Sequence, residues 1–75
     1  MENITCELNG IKYLMVECPI TSSNEYKIEA RCKRHGVIMQ GVSKIDRGGF
    51  FSDWYVIIKL LVPEKNVMAW NDDDN

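Results

Sequence analysis

The chain has little histidine, little proline and no excess of positive charge, and each scarcity closes off a class of function. Nine Lys and Arg stand against eleven Asp and Glu, a formal net charge of −2. A dedicated nucleic-acid-binding module shows a basic surplus instead. The three cysteines, Cys6, Cys18 and Cys32, are odd in number and form no C-x-x-C. A disulfide framework is therefore not indicated, and the cysteines read as small core residues of a reduced, cytoplasmic protein. No positive n-region follows Met1, so no secretory signal is expected. The longest apolar run, 54–62, is interrupted by Lys59 and is too short to span a bilayer. P-loop, GxGxxG and HExxH patterns are missing, as are internal repeats. Asp72, Asp73 and Asp74 lack the glycine turn and the spaced ligands of a calcium loop. The expectation is a protein without cofactor or metal, and not an enzyme.

What is present is enough for one small domain. The chain has 75 residues, 45% hydrophobic and 27% charged. That is too apolar for disorder and too polar for a membrane protein. Residues 1–71 read as a single domain and residues 72–75 as an acidic frayed tail. A domain of this size buries only about 60% of its unfolded surface and is marginal alone. A second copy or a partner would help it.

Asn9-Gly10, between two alternating runs, is the clearest local signal. Both residues tolerate the positive φ of a type I′ turn. With this pair as the loop, Leu8 opposes Ile11, Cys6 opposes Tyr13 and Ile4 opposes Met15, all on one face. Glu7 opposes Lys12 on the other face, an attractive pair. The second strand has apolar residues on both faces, as a central strand would. Pro19 is expected to end it.

A helix is predicted over residues 25–35. Ser22 and Glu25 fit a capping box. Good helix formers follow, with acid early and base late. Gly36 is placed for a left-handed C-terminal stop, with Val37 as the apolar residue behind it. The strict alternation of Tyr26, Ile28, Ala30 and Cys32 points instead to a strand. Residues 37–45 read as a strand, 46–49 as a turn and 54–62 as the most β-prone segment, closed by Pro63. Residues 66–70 read as a short final strand.

The order ββαββ describes an α+β domain: an antiparallel sheet of four to five strands with one helix on one face. It resembles half of a ferredoxin-like or ACT-like unit, an analogy of fold alone. The alternative is a small all-β barrel. The face away from the helix needs cover, and Leu14, Val16, Phe50, Phe51 and Leu61 are surplus apolar residues for it. A homodimer through the sheet supplies that cover most simply.

Two clusters stand out as binding surfaces. Arg47-Gly48-Gly49-Phe50 resembles a single RGG box, and Phe50, Phe51, Trp54 and Tyr55 follow closely. Arg beside aromatics can stack bases, but is equally an anchor at protein interfaces. Arg47, Phe50, Phe51, Trp54 and Tyr55 are the candidate protein-binding residues. Residues 25–47 hold six basic and three acidic residues, leaving three basic and eight acidic elsewhere. Arg31, Lys33, Arg34 and Lys44 make a candidate basic patch. Cys32 and His35, three apart, could reach one metal ion, with Cys6 and Cys18 completing the set only through an unusual fold, and His35 could serve Cys18 or Cys32 as base. A core thiol and a helix-end imidazole explain them more simply.

The function expected is a small non-enzymatic protein-interaction module acting as a homodimer. Compact chains of this kind are common in phages and mobile elements, where they inhibit host proteins. The alternative is a regulatory domain. It would bind a small ligand near residues 19–24, or nucleic acid through the basic residues.

Overall fold

The computed structural model describes residues 4–46 and 55–73, with only the backbone described at Asp46 and Tyr55. Four strands, β1 (Thr5–Leu8), β2 (Ile11–Thr21), β3 (Ile38–Asp46) and β4 (Tyr55–Pro63), make one antiparallel sheet in the order β1-β2-β4-β3. Helix α1 (Glu25–His35) lies between β2 and β3 in sequence. A 3-10 turn (Glu64–Asn66) and a short helix α2 (Val67–Asp72) follow β4. The domain is thus α+β, with two helices and a curled sheet.

The first hairpin has the expected register: Leu8 faces Ile11, Cys6 faces Tyr13 and Glu7 faces Lys12. Asn9 and Gly10 both have positive φ, 52° and 80°. Met15 N–H donates to Ile4 carbonyl at 2.9 Å, extending the pairing one rung beyond Thr5.

Pro19 does not end β2. The strand runs on to Thr21, with Pro19 opposite Ile57 of β4. The direction of the backbone groups explains this. In an antiparallel strand, N–H groups alternate between its two edges. Met15 directs its N–H toward β1, so the other odd-numbered residues of β2 do the same. β1 no longer runs alongside at Pro19, so the missing N–H removes no ladder bond. The side chain of Asn24 occupies that edge instead. Its Nδ2 donates to Pro19 carbonyl at 3.2 Å, and its Oδ1 accepts from Thr21 N–H at 2.7 Å.

The same contact replaces the expected capping box. The helix begins after Asn24, and no side chain caps its first turn. Its end follows the expectation: Gly36 is left-handed at φ 67°, and Val37 N–H returns to Cys32 carbonyl at 2.8 Å. The competition between helix and strand in this segment is resolved by the stripe Ile28, Arg31, Cys32 and His35, which turns inward at i, i+3, i+4 and i+7. Tyr26, the first member of the alternating set, is 82% exposed. The all-β barrel is therefore set aside.

The expected final strand is a helix. After Pro63 the chain turns through Glu64–Asn66 into α2, which plants Trp70 in the core. The core joins Ile20 of β2, Ile28 and Cys32 of α1, Leu60 and Val62 of β4, and Trp70 of α2. Even-numbered residues of β2 and β4 share this face by register. Both helices therefore pack on one side of the sheet. Leu14 and Val16, expected on the opposite face, belong to this side, whereas Leu61 does lie opposite.

Candidate functional site

Among the described residues two apolar surfaces are exposed, one on each face of the sheet. The first is the face without helices. Its odd-numbered residues from β2 and β4 are joined by Ile4, Cys6 and Leu8 from the first hairpin and by Ile38 from β3. Tyr13 and Leu61 are buried within it, while Ile4 (60%), Leu8 (43%) and Ile11 (40%) remain exposed. The other end of this face is polar. Glu17 stands opposite Lys59, and Ser43 Oγ donates to the Glu17 carboxylate at 2.6 Å.

The second surface lies beside α1. Two bulges in β3, at Gln40 and Ser43, shift its register against β4. They bring Met39, Val42 and Ile45 opposite Leu60, Ile58 and Val56, and so onto the helix side. Residues three apart thereby form one stripe. A helix about 10 Å across covers roughly two strands spaced about 4.8 Å apart. α1 lies over β2 and β4, and the β3 stripe is exposed: Val42 is 54% and Ile45 60% accessible. Between stripe and helix runs a groove of about 230 Å³, floored by Ile20, Val56 and Ile58 and walled by Met39, Glu25 and Glu29.

The basic residues do not form one patch. Arg31 is buried, its guanidinium carbon 3.8 Å from the Trp70 ring centroid and its Nη2 donating to Trp70 carbonyl. Arg34 pairs with Asp73. Lys33 is exposed on the helix. Lys44 pairs with Ile57 in the register and so lies on the opposite side of the sheet. Among the aromatic-loop residues, Arg47, Phe50, Phe51 and Trp54 lie outside the described residues, as does the Tyr55 side chain.

Cys32 and His35 are committed to packing. Burial, with Cys18 close by, pushes the Cys32 thiol above its ordinary pKa. That is opposite to the shift of an activated thiol. The His35 ring meets Trp70 edge-on, with centroids 6.3 Å apart, and its Nε2 bonds Asp73 at 2.9 Å. His35 carbonyl accepts from Asn66 Nδ2 at 2.9 Å. This histidine fastens the C-terminal segment to the end of α1. Among the described residues no three His, Cys, Asp or Glu side chains are grouped to hold a metal ion. Nor is any described helix long and apolar enough to cross a membrane.

A cavity of about 350 Å³ lies where β2 outruns β1, lined by Pro19, Asn24, Ile28, Arg31 and Trp70 among others. The sequence points to the neighbourhood of residues 19–24, but nothing in it marks Trp70. The β3 stripe was also missed, because a spacing of three reads as neither face of a regular strand.

No family model, curated protein or solved structure matches this chain.

Proposed function

We propose that this protein is a non-enzymatic protein-interaction module that acts as a homodimer through the helix-free face of its sheet. One observation carries the reading. Leu8 and Ile11, directly opposite each other, are both exposed on the face that also holds the buried residues Tyr13 and Leu61. An apolar cluster on the face away from both helices, with a polar end at Glu17 and Lys59, has the layout of an interface core and rim. A two-fold partner would bring the same residues onto themselves. The small size of the domain supports the same reading, because burying this face adds the area that a single copy lacks.

The test is absolute mass by light scattering. The wild-type chain is expected at twice the monomer mass. The Leu8→Lys, Ile11→Lys double variant is expected at the monomer mass with an unchanged far-ultraviolet spectrum. A wild-type monomer at micromolar concentration overturns the dimer.

The dimer would present further surfaces to another protein. A phage or mobile-element inhibitor of a host protein, working in the cytoplasm, fits a compact chain of this kind. Arg47, Phe50, Phe51, Trp54 and Tyr55 are its proposed contact. Arg47→Ala or Phe51→Ala would then abolish capture of the host protein with thermal stability retained. Equal loss of stability would make these residues structural. The second reading, an ACT-like regulatory domain, draws on the cavity beside Pro19 and Asn24. Nucleic-acid binding is less supported, because the basic side chains are divided between burial, an ion pair and two faces.

A further inference from the structure

We infer that the groove between α1 and β3 is a docking site for a basic amphipathic helix of a partner protein. The sheet is four strands wide. α1 shelters its middle, and α2 anchors through Trp70 beside Arg31 and His35. Among the described residues no helix covers the β3 side of the same face. Its apolar stripe, Met39, Val42 and Ile45, follows Leu60, Ile58 and Val56 along β4, a length of about 13 Å. An α-helix covers that length in about nine residues.

Charge selects the occupant. Glu25 and Glu29 form the helix wall of the groove. Spaced i, i+4, they sit about 6 Å apart along the axis of α1. A helix laid against α1 with Lys or Arg at the same spacing would meet both carboxylates while its apolar face covers the stripe. This is the helix-in-groove mode of recognition, in which a few apolar anchors carry the affinity and flanking charge sets the choice. Three exposed apolar side chains, Met39, Val42 and Ile45, fall short of the roughly 800 Å² per partner of a standard stable interface. The surface is therefore sized for a single segment, and a second copy of this chain fits it less well. It lies on the face opposite the proposed dimer contact, so the two can be occupied together.

The probe is a capped 14-residue helical peptide of leucine and lysine, with a leucine and glutamate peptide of identical apolar pattern as its counterpart. Binding of each is read by fluorescence anisotropy. The lysine peptide is expected to bind at least tenfold tighter than the glutamate peptide at low salt. The Glu25→Lys, Glu29→Lys variant is expected to invert that preference. Glu7→Lys with Glu64→Lys, the same change in net charge away from the groove, is expected to leave it unchanged. Val42→Asp, at an exposed position, should cost at least tenfold in binding with the melting temperature retained. Equal weakening by both charge variants would mean general attraction and overturn the site. So would loss of self-association in Val42→Asp, which would identify a second copy as the occupant. Repeating the titration with the Leu8→Lys, Ile11→Lys variant separates this site from the dimer, since its binding should be intact whether or not the dimer exists.

Discussion

Arg31 and Trp70 lie in contact across 39 positions of sequence, the guanidinium carbon 3.8 Å from the ring centroid. The contact joins α1 to α2 with a cation on an aromatic face, and Arg31 Nη2 also donates to the Trp70 carbonyl. Trp70→Ala is expected to destabilise the fold by about 3–5 kcal/mol, the usual cost of deleting a buried aromatic. Arg31→Met keeps an apolar stem against the ring without a buried charge, and should cost much less. Urea denaturation of the two variants checks the order. Equal losses would mean that the charge, and not the ring, holds α2 in place.

A second expectation concerns pH. The Asp73 carboxyl is held below its ordinary range, first by the hydrogen bond with His35 and then by Arg34. A carboxyl whose folded pKa is depressed stabilises the fold fully above its unfolded pKa. That contribution is lost as pH falls through the folded value. Asp73→Asn should therefore weaken the attachment of the C-terminal segment at neutral pH, with the difference from wild type shrinking to nothing at strongly acid pH. Amide exchange at residues 70–73, followed from neutral to acid pH, reads it directly. A difference that grew on acidification would refute the assignment. The group is partly exposed, so the effect is local rather than a large change in global stability.

Pro19 and Asn24 make a third test. Because the nitrogen of Pro19 faces the edge that β1 has left, Pro19→Ala should change stability by no more than about 1 kcal/mol, through the unfolded chain. Asn24→Ala removes the partner of both Pro19 carbonyl and Thr21 N–H and should cost about 1–2 kcal/mol. The comparison is again made by urea denaturation. A proline that mattered more than the asparagine would mean that this edge is not where the chain is held.

The legible parts of the sequence were those governed by neighbours. The register around Asn9 and Gly10 follows from turn geometry and a period of two. The stop at Gly36 follows from a residue that accepts positive φ. The hidden parts depend on distant contacts. Arg31 and His35 occupy the inward stripe of α1 because Trp70 lies against them, and no local pattern marks a polar residue as buried. Residues 66–70 have the look of a strand, but both edges of β4 are already taken by β2 and β3. The stripe of Met39, Val42 and Ile45 was hidden by two bulges that only pairing with β4 defines. Arg47, Phe50, Phe51 and Trp54 of the aromatic loop, the main contact expected from the sequence, lie outside the described residues, as does the Tyr55 side chain.

The position of β4 has a consequence for how the molecule is made. It is the last of the described strands, yet it lies between β2 and β3 and joins Tyr13 to Pro63. During synthesis the first hairpin emerges early, but its long strand has no neighbour on one side until residues near 63 have left the ribosome. Pairings this far apart in sequence form slowly, because loop closure comes before the contacts that reward it. Nascent chains arrested before β4 should therefore stay protease-sensitive however complete their first hairpin, and the domain should become resistant in one late step.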